Sequence, residues 1–269
     1  MAGYTGPVPN KNKHGRDSKT REPDAWLRWR LSAPDPAFSL GALAPGDKPF
    51  SSGDKAADRA RVDALAQELD SLQNLFYADR RYKLLVVLQG IDTSGKDGTL
   101  RAVFGRMSPI GVRTVAWRAP SESERAHDFL WRIHWQVPAA GEVVCFNRSH
   151  YEDVLVPVVA GTVDAQEATR RYAHINSFER LQQRIDDPEK RWKFERGDLD
   201  VRKQWDAYQQ AYERAVAATA TPWAPWTIVP ADSKTHRNLM IALAVSQALR
   251  GLDLRYPDPD PALRDLKVE

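Results

Sequence analysis

The chain has 269 residues, 42% of them apolar, with 39 Lys and Arg against 36 Asp and Glu for a formal net charge of +3. That length suits one large α/β domain or two small ones, and a charge this slight says less about partners than the clustering of charges does. The single cysteine, Cys145, excludes an intrachain disulfide; no apolar run approaches the ~18 residues a membrane helix needs, and no apolar secretory segment opens the chain. The expectation is a soluble, cytoplasmic protein with no membrane partner.

Residues 1–25 are polar and basic, with Lys11, Lys13, Arg16, Lys19 and Arg21. They read as a solvated arm, or as a strap onto a neighbour or a polyanion. Pro34, Pro36, Pro45 and Pro49 mark irregular chain, so residues 1–50 form a basic, proline-rich arm ahead of a main domain over 51–256. Lys55–Arg80 is predicted as a helix with Val62, Leu65, Leu69, Leu72 and Leu75 or Phe76 on one face. Lys83–Gln89 reads as a strand, Lys96–Met107 as a helix and Val112–Trp117 as a second strand. Ser121 and Glu124 form a capping box opening a helix through Phe129, Leu130 and Ile133 that stops before Pro138.

Glu142–Phe146 is a third strand, followed by a helix over Ala165–Ile185 and another over Ala207–Ala218. Trp226–Val229 is a last short strand. Asn238–Leu249 is a closing helix with Gly251 as the residue just past its end. The tail over 257–269 is rich in Pro and Asp and reads as loose. Strands alternating with helices predict an α/β fold with a parallel sheet flanked by helices, whose ligands sit at the carboxyl ends of the strands.

Three polar constellations fall at such ends. The first is Gly90-Ile-Asp92-Thr93-Ser94-Gly95-Lys96-Asp97-Gly98-Thr99 after the apolar run Leu84–Leu88. Strand, glycine-rich loop and helix start make a P-loop: Gly90 and Gly95 admit close backbone approach, backbone N–H groups face phosphate oxygens, and Lys96 reaches a terminal phosphate. Asp97 stands where a P-loop usually has Ser or Thr. A Mg²⁺ ligand must therefore come from elsewhere, and Asp92 is the first candidate; its plain alternative is a turn residue bonding its own backbone.

The second constellation runs from Val143 to Asp153, an apolar strand ending in Asn147-Arg148-Ser149-His150-Tyr151-Glu152-Asp153. Arg148 suits a bidentate fork on phosphate, and Glu152 or Asp153 supplies the acid that Asn147 does not. The third is Asp187–Phe194 with Lys190, Arg191 and Lys193, followed by Arg202, Lys203, Trp205 and Tyr208. Basic residues interleaved with aromatics suit a lid over a polyanion across about 182–208, or else a solvated basic helix. His127, His134, His150 and His174 lack zinc-ligand spacing, and the tryptophans read as packing rather than as a nucleic-acid platform.

Taken in order, GIDTSGKDGTLRAVF, AHDFLWRIHWQVPAAGE, FNRSHYEDVLV, DPEKRWKF and APWTIVPADSKTHRN resemble the polyphosphate kinase 2 family, with FNRSHYEDV most similar to its class III subgroup. The resemblance covers roughly residues 25–257. It implies a P-loop kinase fold and phosphoryl transfer between inorganic polyphosphate and nucleotides, AMP to ADP and ADP to ATP, with Mg²⁺. It also implies a cytoplasmic homo-oligomer, dimer or tetramer, that binds no nucleic acid. Matching positions imply that Asp92 and Glu152 serve the metal, Lys96 and Arg148 bind phosphate, Arg118 lies near the phosphates, and Lys190, Arg191 and Lys193 belong to the lid.

The chain departs from the family pattern at one place. Ile175–Leu181 and Gln182–Phe194 abut at Leu181/Gln182, where the family carries another apolar strand beside the P-loop strand and the start of the lid helix. Two outcomes are open: Trp226–Val229 moves over to pair with the P-loop strand, or the sheet is left split. The competing functional readings are an ATP-dependent P-loop nucleotide kinase, and a nucleotide- or polyphosphate-binding protein inactivated by the internal deletion.

Overall fold

A computed structural model of the chain describes residues 26–91, 94–181 and 204–258. The chain opens with a two-residue strand β1 (Arg30–Leu31) and a 3₁₀ turn at Leu40–Ala42. Helix α1 (Lys55–Asp79) starts where the Asp54 carboxylate accepts the N–H groups of Ala56 and Ala57, and ends at Arg80, which turns left-handed at φ 55°. Strand β2 (Leu84–Leu88) leads through the glycine-rich loop into a single α-turn, α2 (Lys96–Thr99). The predicted helix to Met107 does not continue as α-helix: Leu100–Phe104 widen into a π-turn. Strand β3 (Val112–Ala116) follows.

The capping box of Ser121 and Glu124 is present, but it opens only α3 (Glu122–Arg125). The single helix expected through Ile133 is broken, because the Asp128 carboxylate accepts the Leu130 N–H at 2.9 Å and a separate turn, α4 (Trp131–His134), begins beyond it. Strand β4 (Val143–Asn147) is followed by α5 (Glu152–Val159), a helix not predicted from the sequence; Pro157 lies inside it and Tyr151 provides no side-chain cap. Helix α6 (Ala165–Leu181), helix α7 (Trp205–Thr219), strand β5 (Trp226–Thr227) and helix α8 (Lys234–Arg250) complete the order. Gly251 is not the left-handed residue expected past α8. It is the cap itself, right-handed at φ −73°, with its N–H donating to Gln247 O.

The main sheet is parallel, in the order β2-β4-β3, with Leu84 and Val112 both opposite Val143. Strand β4 sits in the middle, and Val143, Val144, Cys145 and Phe146 are fully buried. Burial pushes the Cys145 thiol pKa upward, leaving an inert group. One face packs on α1, α8 and the π-turn through Leu69, Phe76, Val103, Leu239 and Met240. The other packs on α5, α6 and α7 through Val154, Leu155, Ile175, Phe178 and Ala211. Trp26, Trp29 and Phe50, from the stretch expected as an arm, join the first core.

The sheet is split. Strand β5 pairs antiparallel with β1, Thr227 opposite Arg30, and not with β2. All five residues of β2 remain partly exposed, although their sequence, LLVVL, is that of a strand buried on both faces. Leu84 N–H donates to Glu142 O and Arg148 N–H to Leu88 O, so Leu84, Val86 and Leu88 aim their backbone at β4. By alternation, Leu85 and Val87 aim theirs at the open side, where no strand pairs among the described residues.

The Phe50 N–H donates to His236 Nε2 at 3.2 Å, an arrangement that needs a neutral imidazole, and burial lowers the His236 pKa. The unfolded chain therefore takes up a proton before the folded one does. Stability should be full above the ordinary imidazole value and fall as pH drops below it. Melting followed from pH 8 to pH 5 should show this slope, and His236→Gln should flatten it.

Candidate active site

Strands β2 and β4 deliver their carboxyl ends side by side, and the first two polar constellations of the sequence meet there. Gly95 is left-handed at φ 88°, and a Cβ on it would lie 1.9 Å from Arg237 Nη1. The loop closes on the ammonium of Lys96, which donates to Gly90 O (2.7 Å), Ile91 O (2.9 Å) and Ser94 Oγ (3.3 Å). A cation thus sits in a hollow of backbone carbonyls, beside the amide-rich start of α2. Asp97 and Gly98 are exposed, and the Asp97 carboxylate accepts from Asn147 Nδ2 at 2.7 Å, tying the start of α2 to the end of β4.

Arg148 is left-handed at φ 64°, a conformation unusual for a residue with a side chain, and its guanidinium lies 3.9 Å from Glu152 one turn along α5. Glu152 also accepts from Gln89 Nε2 at 2.5 Å, and Gln89 Oε1 accepts from Ser149 Oγ at 3.1 Å. Gln89 thus joins the two strand ends. Asp153, the other acid offered by the sequence, turns away to Arg132 at 3.3 Å. Its burial raises its pKa against the pull of Arg132. Arg118 is exposed beyond the end of β3, where the neighbouring Trp117 N–H donates to Asn147 O at 3.0 Å.

Two residues not singled out from the sequence brace this site. Gln89 is one; its signal was a polar residue directly ending an apolar strand. Arg237 is the other, buried behind the loop, donating to Thr99 Oγ1 (3.0 Å) and Ser94 O (3.4 Å). Thr99 Oγ1 in turn donates to Asn238 Oδ1 at 3.2 Å. Burial lowers the Arg237 pKa but leaves the guanidinium charged at any ordinary pH.

Asp92 and Thr93 of the loop, and Lys190, Arg191 and Lys193 of the expected lid, lie outside the described residues. Among the described residues no group of three or more His, Cys, Asp or Glu side chains could hold a metal, and no helix is long and apolar enough to cross a membrane.

The comparisons with known proteins agree with one another. The model of the family "Polyphosphate kinase 2 (PPK2)" matches residues 52–183 and 178–256. An AMP/ADP-polyphosphate phosphotransferase of Meiothermus ruber is 43% identical over 260 residues, covering 88% of this chain and 97% of the relative. An ADP-polyphosphate phosphotransferase of Rhodopseudomonas palustris is 33% identical, covering 74% and 81%. The crystal structure of polyphosphate kinase 2 from Arthrobacter aurescens TC1 matches with a TM-score of 0.79 at 40% identity, over 88% of this chain and 94% of that one.

The two segments matched by the family model meet at 178–183, around Leu181/Gln182. The Meiothermus alignment is longer than the 88% of 269 residues that this chain contributes to it, so the relative has residues that this chain lacks. Matched in both segments, and aligned along nearly the whole of a 43%-identical relative, this chain belongs to the polyphosphate kinase 2 family.

Proposed function

We propose that this protein transfers a phosphoryl group between inorganic polyphosphate and adenine nucleotides, taking AMP to ADP and ADP to ATP. The observation that carries this reading is the meeting of two cations, Lys96 and Arg148, with the carboxylate of Glu152 at adjacent strand ends. The names of the relatives, AMP/ADP- and ADP-polyphosphate phosphotransferases, support the choice of substrates.

Phosphoryl transfer asks little covalent chemistry of a protein; it asks that two polyanions be brought together and their repulsion neutralised. Lys96 trades its loop carbonyls for phosphate oxygens, and the left-handed backbone of Arg148 fixes its guanidinium at the mouth of the site as a fork for a second phosphate. Gly90, Ser94, Gly95, Gly98 and Thr99 shape the backbone donors, Asn147 holds Asp97 in place, and Arg118 adds positive charge from the next strand. Lys190, Arg191 and Lys193, outside the described residues, would supply further positive charge to the polyphosphate, as the family resemblance implies.

Magnesium fits the donor set. It keeps several waters and binds through one or two carboxylates plus substrate phosphates, so the lack of a dedicated cage among the described residues suits it. Glu152, already held by Gln89 and Arg148, would hold the ion together with Asp92, and the ion would neutralise charge on the transferring group. Glu152→Gln should raise the Mg²⁺ concentration for half-maximal rate roughly tenfold, with the fold unchanged by circular dichroism; an unaltered Mg²⁺ titration would remove Glu152 from the metal site.

The buried reduced Cys145 suits the cytoplasm. Trp131 and Trp135, 39% and 55% exposed, offer contact area for a homo-oligomer, which sedimentation would count. The open side of β2 favours a second reading, a binding protein that has lost turnover. The deciding assay supplies ADP, long-chain polyphosphate and Mg²⁺ without ATP. ATP formation establishes the kinase and excludes a strict ATP-dependent donor; ligand-induced stabilisation without ATP establishes the binder.

A further inference from the structure

Gln89 follows β2 directly, and Arg148 follows β4 directly. The Arg148 N–H donates to Leu88 O at 3.0 Å, so the two residues leave neighbouring strand ends together. The left-handed backbone of Arg148 then turns the chain back, and the Glu152 N–H donates to Ser149 O at 3.0 Å within that turn. The Glu152 carboxylate comes to rest beside two donors of unlike charge: the neutral amide of Gln89 at 2.5 Å and the guanidinium of Arg148 at 3.9 Å.

Those two distances are in the wrong order for unrestrained groups. A guanidinium is the stronger donor to a carboxylate and ordinarily closes to about 2.7–2.9 Å. The Arg148 and Glu152 side chains are only 33% and 20% exposed, so water screens their attraction incompletely. The carboxylate is nevertheless held by the amide and kept short of the guanidinium. The amide itself has one orientation. An ionised carboxylate only accepts, so Nε2 faces Glu152 and Oε1 faces the Ser149 hydroxyl, which donates at 3.1 Å. Ser149 is fully buried and its Oγ accepts the Tyr151 N–H at 3.1 Å, which leaves its proton for Gln89. Tyr212 Oη, from α7, lies 3.5 Å from Nε2.

The neutrality of this donor matters. An apolar residue at 89 would release the carboxylate to Arg148, and the closed pair would cancel the positive charge that a phosphate needs. A cation at 89 would hold the carboxylate but discharge it. The amide does neither.

We propose that Gln89 is a positioning residue for phosphate binding: its amide holds the Glu152 carboxylate off Arg148, so that Glu152 does not neutralise the guanidinium that receives phosphate. The proposal rests on the reading of Arg148 as a phosphate ligand.

The test is a double-mutant cycle in the full chain, with wild type, Gln89→Met, Glu152→Gln and the two changes together. Tripolyphosphate binding is measured by calorimetry in EDTA, so that neither metal nor turnover enters. Gln89→Met should weaken binding about tenfold. In the Glu152→Gln background the same change should alter binding by no more than about twofold, because no carboxylate is left to capture Arg148. Gln89→Asn, whose amide is one methylene too short to reach Glu152, should match Gln89→Met, and it carries the test should the apolar variant fail to fold by circular dichroism. Unchanged binding by these Gln89 variants overturns the proposal. Equal losses in both backgrounds overturn it too, since Gln89 would then only brace the fold.

Steady-state rates with ADP, polyphosphate and Mg²⁺ give a second readout. KM for polyphosphate should rise in Gln89→Met and return in the double variant, whereas kcat should stay low there because Glu152 is lost from the metal site. The coupled binding pattern supports the role of Gln89 even if the protein makes no ATP, a result that would fail the kinase reading alone. A wild type that binds no tripolyphosphate overturns both.

Discussion

Lys96→Ala should lower ATP formation from ADP and polyphosphate by about a hundredfold to a thousandfold, the usual consequence of removing one pre-positioned charge from a site where negative charge develops. The ligand-free geometry explains why so much depends on one ammonium. Its bonds to Gly90 O, Ile91 O and Ser94 Oγ hold the loop around the place where a phosphate would sit. Alanine removes both the charge and the tie that keeps the loop curled. Lys96→Arg separates the two roles, because it keeps the charge in a larger, planar group that does not fit the same hollow. Steady-state rates for the three proteins measure the effect, and a rate for Lys96→Ala within threefold of the wild type would show that the loop does not handle the transferred group.

Gly95→Ala should be nearly as damaging, for a different reason. The left-handed backbone at φ 88° costs a residue with a Cβ about 1–2 kcal/mol. The new methyl would also displace the buried Arg237 guanidinium, breaking its bonds to Ser94 O and Thr99. Hydrogen bonds from charged groups contribute about 1.5–3 kcal/mol each. A melting temperature lower by about 5–10 °C and a rate lower by on the order of a hundredfold are expected. Arg237→Lys combined with Gly95→Ala frees the space for the methyl, so the double variant should recover stability over Gly95→Ala but not rate. If the two changes simply add, the contact between Gly95 and Arg237 does not brace the loop.

The sequence was legible wherever one physical signal dominated. The apolar runs Leu84–Leu88 and Val143–Phe146 located β2 and β4, and polar residues directly after each run located the corner where ligands gather. It was less legible where local chemistry competed. Pro157 hid α5, although a proline in a short helix needs only one missing hydrogen bond to be tolerated. Asp128 broke the helix after α3 by offering the backbone another acceptor, and the π-turn after α2 gave no sign in its composition.

Gln89 and Arg237 escaped for a further reason. Each is a single polar residue whose role depends on partners 60 and 143 positions away in the chain, and no local pattern records such pairs. The split sheet was legible only through comparison with a family, because neither Leu181 nor Gln182 carries any mark of what is lacking between them.

The open side of β2 has a consequence for hydrogen exchange. The amides of Leu84, Val86 and Leu88 face β4, whereas those of Leu85 and Val87 face away from it. Within one five-residue strand, deuterium uptake should therefore alternate residue by residue, slow at the even positions and fast at 85 and 87, where β4 should show uniform protection along its length. A peptide pairing with the open side of β2 would erase that alternation, turning the exchange pattern of three leucines and two valines into a direct readout of whether that side has been covered.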